Sequence, residues 1–344
     1  MGPAGWAGLA IRGRPRDRPD TVRVASTVPY HEASQAMRAE LVRELPRDRL
    51  KELHRVSGAR HALLVARQLV VLALAYAAVL RWGNRAWVWI PAAVVIGFVV
   101  FSFTVLLHEV VHRTVFASRS SRWNDVLGYV YGVMGGLAPA QFTRWHLDHH
   151  EWLGTDDRDP KRHHLTPKIV RRWFKALYLT PVLFPIYFRA AAREAAGYPE
   201  ALRRRVRVER LLTTAFHLGV VGALAALFGW GAALQLHVVP VFLVFPVAFT
   251  INRLGQHYDV DPNEPAAWGT LMRQSPWFWD RVFLWSNYHL EHHYFPRVPC
   301  YHLPALRREL EPFFARKGIR PRSYAGLLVD WFGRNRPPHT DWAA

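Results

Sequence analysis

One cysteine, Cys300, occurs in 344 residues. This excludes an intrachain disulfide framework, a cysteine-based zinc ribbon and a dithiol redox pair, so any metal chemistry must draw on other ligands. Acidic side chains are also few, with 26 Asp and Glu against 45 Lys and Arg and a formal net charge of +19. There is no Gly-x-Gly-x-x-Gly dinucleotide fingerprint, no zinc-finger spacing and no other nucleic-acid motif. The basic stretch Arg12-Gly-Arg-Pro-Arg-Asp-Arg18 has no adjoining apolar core of the secretory type. The first long apolar run is therefore expected to act as an uncleaved insertion signal. Internal repeats beyond a pair of hairpins and extended low-complexity segments are absent.

What the chain does have is hydrophobic length, since 51% of its residues are hydrophobic. Charge-poor apolar runs lie at about 62–80, 86–107, 211–228 and 232–250. Each is near the roughly 20 residues a helix needs to cross a bilayer. They predict an all-α integral membrane fold, with four transmembrane helices in two hairpins and a helical cytoplasmic cap. Of the 45 Lys and Arg residues, 42 lie in 1–60, 108–210 and 251–344, whereas the first hairpin turn holds only Arg81 and Arg85 and residues 229–231 hold none. That bias orients the large segments and both termini toward the cytoplasm. It also accounts for the positive charge without nucleic acid. Arg203, Arg204 and Arg205, with Arg207 and Arg210, read as contacts with lipid headgroups.

Along the chain, 1–60 is expected to be a cytoplasmic lead-in, partly disordered and then helical over about 32–56. A membrane domain follows over 61–310, and a cytoplasmic tail over 311–344. The apolar stretches 127–138 and 176–190 are short or interrupted by Pro and read as interfacial or re-entrant. Residues 303–317 have the pattern of an amphipathic helix ahead of the Pro-rich end Arg336-Pro-Pro-His339.

The functional signal is in the histidines, nine of which, among 18, fall into four clusters at or shortly after span ends. His108-Glu-Val-Val-His112 has the i,i+4 spacing that puts both rings on one helical face. It matches the zinc-protease pattern, with Glu109 as general base, but a short match of this kind is weakly specific. His146-Leu-Asp-His149-His150 and His289-Leu-Glu-His292-His293 repeat one pattern, and a single His257 follows the fourth run. On a helix the adjacent His149 and His150 point about 100° apart, so each can serve a different metal. One such box is a common accident; three at membrane boundaries are not. His31, His54, His61, His163, His164, His217, His237, His302 and His339 lack the pattern and read as structural. Imidazole holds several transition metals, so these ligands alone do not identify iron. Glu109, Asp148, Glu151, Asp156, Asp157, Asp159, Asp259 and Glu291 are candidates to accept histidine N–H groups and orient the rings.

With these boxes in this order, the chain resembles the membrane fatty acid desaturase and hydroxylase superfamily over about residues 60–310. The resemblance rests on His108-Glu-Val-Val-His112, Trp145-His-Leu-Asp-His-His150 and Asn287-Tyr-His-Leu-Glu-His-His-Tyr-Phe-Pro296. It implies two iron ions held by His108, His112, His146, His149, His150, His257, His289, His292 and His293, with no catalytic residues beyond these ligands. Asn252 is a weaker candidate, acting through water. Soluble di-iron bundles use Glu-rich ligand sets instead. The implied reaction is oxygen-dependent removal of two hydrogens from an unactivated part of a lipid-linked or thioester-linked acyl chain. Reducing oxygen to two waters takes four electrons, two of them from the substrate. No Cys-ligated cluster or His-Pro-Gly-Gly segment supplies the other two, which implies an external ferredoxin, rubredoxin or cytochrome b5-type donor. The basic cytoplasmic surface is its expected docking face.

An apolar tunnel to the site is expected, with Trp145, Trp277, Trp279 and Trp285 as candidate lining. Alternatives within the superfamily are a hydroxylase and a carotenoid ketolase or hydroxylase. From other classes come an intramembrane zinc protease, which leaves two boxes unexplained, and a metal transporter, which would carry polar ligands within its spans.

Overall fold

A computed structural model describes residues 30–118, 121–153, 158–161, 169–258 and 265–337. Among these there is no β-strand, only an isolated bridge between Met272 and Arg322. The N-terminal lead-in begins with α1 (Tyr30–Glu44) and α2 (Arg47–Leu53). The single helix expected over 32–56 is thus two. Pro46 separates them because it has no N–H for the helical ladder. The expected disorder of the earlier residues lies outside the described residues.

Four helices are long and apolar enough to cross a membrane, as the hydropathy pattern predicted. The first hairpin is α3 (Gly58–Trp82) and α4 (Ala86–Val111), with the Ser57 side chain accepting from the Arg60 N–H at the start of α3. After α5 (Arg122–Met134), α6 (Pro139–Glu151), α7 (Arg172–Leu177) and α8 (Leu183–Ala195) comes the second hairpin. It consists of α9 (Glu200–Phe228) and a continuous helical run, Trp230–His257. Gly229, at φ 85°, closes this hairpin in one residue, a conformation that an L side chain disfavours. The fourth span is not uniform: α10 (Trp230–Ala233) passes through wide π turns at Leu234–Val238 and Pro240–Val244 before α11 (Phe245–His257). Pro240 and Pro246 cannot donate to a regular ladder, which accounts for the widening. The stretches 127–138 and 176–190 fall on α5, α7, α8 and their connections, none of them a spanning helix.

The Gln235 side chain donates to the Gly83 carbonyl at 3.0 Å, so both hairpin turns lie at one end of the bundle. The histidine boxes are therefore gathered at the other end. α4 is the central helix: 67% of its apolar window is buried, against 22%, 11% and 39% for the other spans in chain order. Lipid tails are as apolar as leucine, so helices associate in a membrane through close packing and hydrogen bonds. Both occur here. Gln68 of α3 donates to the Ser102 hydroxyl of α4 at 2.6 Å, and Gly97 lets α4 approach the fourth span at Val244.

Short helices α12 (Trp279–Val282), α13 (His289–Tyr294), α14 (Leu303–Arg316) and α15 (Tyr324–Leu328) complete the described chain, followed by a π turn at Val329–Gly333. Leu327 and Trp331 share a core with Phe101, Leu106 and Ala248 of the spans, so this C-terminal stretch is docked. A second core joins Leu41 and Leu53 of α1 and α2 to Leu290, Tyr294, Leu306 and Leu310. The N-terminal helices and α14 thereby clamp the third box.

A side chain at position 97 is the sharpest test of this packing. Its Cβ would lie 2.5 Å from the Val244 Cβ and 2.8 Å from the Pro240 carbonyl oxygen. Gly97→Val is expected to destabilise the protein by about 1–3 kcal/mol, read as a lower thermal midpoint in detergent. An unchanged midpoint would show that α4 and the fourth span are not in this contact.

Candidate metal centre

α4 carries His108 in its last turn, with His112 as its C-cap. α6 carries His146, His149 and His150; His257 ends α11; His289, His292 and His293 lie on α13. All four elements present these rings at a helix end or on a short helix whose chain direction is set by the surrounding core. Just before α13, Leu284 and Trp285 adopt positive φ of 47° and 60°, a conformation that non-glycine residues rarely take. This turn aims the third box back toward α6.

The nine rings form two groups. Ligand atoms of His108, His112, His146, His150 and His292 lie within 4.8 Å of one another, as do those of His149, His257, His289 and His293. Adjacent histidines are divided between groups, His149 from His150 and His292 from His293, as their helical angle requires. The His150 and His293 rings stack at 4.2 Å between centroids, so the two groups abut.

Within each group the rings meet nitrogen to nitrogen. The Nε2 atoms of His112 and His146 are 2.7 Å apart, those of His146 and His150 2.9 Å, and those of His150 and His292 3.0 Å. In the second group, His257 Nε2 is 3.0 Å from His149 Nε2 and 2.8 Å from His289 Nε2, while His289 and His293 are 3.0 Å apart. For metal–nitrogen bonds of about 2.0–2.1 Å, ligands at right angles lie about 2.9 Å apart and tetrahedral ligands about 3.4 Å. The observed edges fit the first, so the donor set suits right-angled rather than tetrahedral coordination.

Two second partners fix which nitrogens face inward. His257 Nδ1 donates to the Trp268 carbonyl at 2.7 Å, and His149 Nδ1 donates to Asp159 at 2.8 Å. A carbonyl or carboxylate can only accept, so in the neutral rings Nε2 carries the lone pair. These two lone pairs face each other at 3.0 Å. Such an approach is repulsive unless a cation accepts both. Burial keeps the rings available as ligands: it pushes His112, His146, His150, His289, His292 and His293 well below the usual imidazole range, with nearby cationic groups adding to the effect. His149 is pushed down to about 4, burial outweighing the opposing pull of Asp159.

Among the carboxylates singled out from sequence, Asp159 hydrogen-bonds His149 and Glu109 Oε1 lies 3.7 Å from His108 Nδ1. Glu109 accepts from the Thr114 hydroxyl at 2.8 Å and from the Cys300 N–H at 2.9 Å, stitching the first box to the chain after the third. Asp148 pairs with Arg144 at 2.6 Å, Glu291 with Arg307 at 3.1 Å, and Glu151 is exposed. Asp156, Asp157 and Asp259 lie outside the described residues. The amide of Asn252 donates to the Ser286 hydroxyl at 2.8 Å and accepts from Gln256 at 3.0 Å. The remaining described histidines are occupied elsewhere: His61 with the Tyr131 hydroxyl, His217 with His237, and His54 and His302 with backbone carbonyls. The side chain of His31 and residues His163, His164 and His339 lie outside the described set. The Trp268 carbonyl has no counterpart in the sequence pattern, because a backbone acceptor leaves no residue-type signal.

Beside the histidines is a cavity of about 100 Å³ lined by Phe101, Val105, Phe142, Phe249 and Leu284, with Asn252 and Gln256 at its polar side. Trp145 lines it, as expected from sequence. Trp277 is exposed, and Trp279 instead lines a groove facing α3 and α4. Trp285 packs on the second core. Lys161 and Arg253 also border the cavity, and neither was anticipated. Lys161 is pushed down to about 7, by burial first and then by Arg253.

Fold and site together define an integral membrane protein whose buried and half-buried histidines form two groups able to hold metal ions. The family model for fatty acid desaturases matches residues 84–325. The chain belongs to the fatty acid desaturase family. A sphingolipid delta(4)-desaturase/C4-monooxygenase of Homo sapiens is 26% identical over 245 residues, covering 68% of each chain. An acyl-lipid 8-desaturase of Rebecca salina is 24% identical over 260 residues, covering 67% of this chain and 58% of its own length. A fatty acid desaturase of Bacillus subtilis (strain 168) is 24% identical over 232 residues, covering 60% of this chain and 64% of its own. The chain is accordingly an enzyme, an oxidoreductase.

Two outcomes follow from the geometry. Asp159→Asn should weaken metal binding at the His149 group by about 10–100-fold and leave the five-histidine group nearly unaffected, measured by chelator competition. Equal loss at both groups, or none, would contradict the assigned orientation. Without metal, the chain should lose stability as pH falls. The unfolded rings take up protons near pH 6.5, whereas His149 resists until about pH 4. Stability is then full above about pH 6.5 and declines below it, and a flat thermal midpoint from pH 7 to 4.5 would contradict burial of neutral rings.

Proposed function

We propose that this chain desaturates a fatty acyl chain at a di-iron centre held by the nine histidines. The observation that carries the reading is the facing of Nε2 lone pairs, His149 against His257, inside a group of four buried rings. His108, His112, His146, His150 and His292 would hold one ion, and His149, His257, His289 and His293 the other. With both ions bound, the centre supplies oxygen chemistry strong enough to remove two hydrogens from an unactivated chain.

The chain's own residues do the rest. Asp159 and the Trp268 carbonyl hold protons on the outer nitrogens of His149 and His257, keeping the inner nitrogens as donors. Glu109 is bonded to Thr114 and to the Cys300 N–H, so it ties boxes together and is not free to act as a protease base. Phe101, Val105, Phe142, Phe249 and Leu284 offer an apolar wall that shelters an alkyl segment from water beside the histidines.

The electrons that the substrate does not supply come from an external ferredoxin, rubredoxin or cytochrome b5-type carrier. The charge bias supports a cytoplasmic position for both termini and the histidine boxes, the side on which such a carrier would dock. Hydroxylation is the second reading. It is favoured by the name of the human relative, which pairs desaturase with monooxygenase.

Expression with a compatible redox partner, followed by mass spectrometry of host fatty acids, sphingolipids and carotenoids, tests both. Loss of two hydrogens, abolished by His149→Ala, is the expected result. Gain of one oxygen would establish the second reading, and no change dependent on His149 would overturn both.

A further inference from the structure

The spans carry a charge that the histidine centre does not use. Arg67 is the only charged residue in the apolar stretch 62–80, about 13 Å along α3 from Gly58. A charge at such a place is costly, and by default it marks a function. Its Nε donates to the Gln68 side chain at 3.2 Å and its Nη2 to the Arg281 carbonyl at 2.9 Å. Arg281 lines the same groove as Arg67. Arg281 donates through Nη1 to the Pro276 carbonyl at 3.1 Å. Neither arginine meets a carboxylate among the described residues, and two guanidinium groups offer ten N–H donors, of which three are engaged here.

Below this pair runs a groove of about 540 Å³ between α3, α4 and the segment 278–282, walled by Val71, Val94, Val95, Phe98 and Trp279. Val94 and Val95 are exposed on the surface that faces lipid in a spanning helix. An apolar trough with unneutralised guanidinium groups at one end has the shape of a site for an amphiphile with an anionic head. A planar guanidinium fork matches phosphate oxygens in pairs.

We propose that this groove binds an anionic phospholipid, its phosphate at Arg67 and Arg281 and one acyl chain along Val71, Val95 and Phe98. The site is separate from the catalytic cavity. Phe283 stands between them, 6.0 Å from the Phe98 ring on the groove side and 5.7 Å from the Phe101 ring on the cavity side. The bound lipid thus lies along the first hairpin and is not positioned over the histidines.

Native mass spectrometry of the full chain in detergent, with added phosphatidylglycerol or a diacylglycerol of the same chains, tests the site. Wild type should retain phosphatidylglycerol in preference. Arg281→Gln, at an exposed position, should lower its retention about tenfold, as loss of a charge-assisted contact implies, and leave diacylglycerol unchanged. Val95→Trp keeps both arginines and fills the groove, so it should lower retention of both lipids; with Arg67→Gln it keeps the test decisive if one variant folds poorly. Equal retention of the two lipids by wild type, or of phosphatidylglycerol by wild type and Arg281→Gln, would overturn the proposal. So would a groove variant that alters the number of copies per particle without altering lipid retention, which would make the groove an interface between copies.

Discussion

Lone pairs of buried imidazoles that face each other at about 3 Å form the constraint on which this structure turns. His149 and His257 each commit an outer nitrogen as donor, to Asp159 and to the Trp268 carbonyl, and so present unprotonated inner nitrogens 3.0 Å apart. Burial opposes relief by protonation, as the low position of His149 shows. The arrangement is favourable when a cation sits among the donors. Nine rings in two abutting groups extend the same logic to a paired site.

The membrane fold serves that constraint by bringing box-bearing ends together. Two hairpins with turns at one end leave four span termini at the other, and α4, the most buried span, delivers the first box into the middle. Lipid supplies no hydrophobic drive to hold helices together, so the contacts must be close and specific, as at Gly97 with Val244 and at Gln68 with Ser102. Outside the spans water restores that drive, and there α1, α2 and α14 close an apolar core over the third box. Glu109 links residues 191 positions apart by accepting the Cys300 N–H. One carboxylate thus couples the first box to the third.

Much of this was legible in the sequence because the relevant signals are local and periodic. Apolar length gave the four spans, and i,i+4 spacing paired His108 with His112 and His289 with His293. The helical angle between neighbours foretold that His149 and His150 would serve different groups. What was not legible depends on distance or on backbone. Among the described carboxylates near the boxes, Asp159, ten residues past His149, hydrogen-bonds a ring and Glu109 lies 3.7 Å from His108 Nδ1, and no residue-type pattern marks the Trp268 carbonyl. The π turns around Pro240 and the break at Pro46 shift hydrogen bonds without disturbing the hydropathy that revealed their helices. Arg253 and Lys161 reach the cavity only through tertiary packing.

Iron held through nitrogen by the two histidine groups is the proposal on which the rest stands. X-ray absorption at the iron edge of the iron-loaded protein addresses it directly. Nitrogen and oxygen neighbours at about 2.0–2.2 Å are expected, with the outer-shell pattern of several imidazoles and no sulfur neighbour. A sulfur neighbour at about 2.3 Å, or a spectrum lacking the imidazole outer shells, would contradict it.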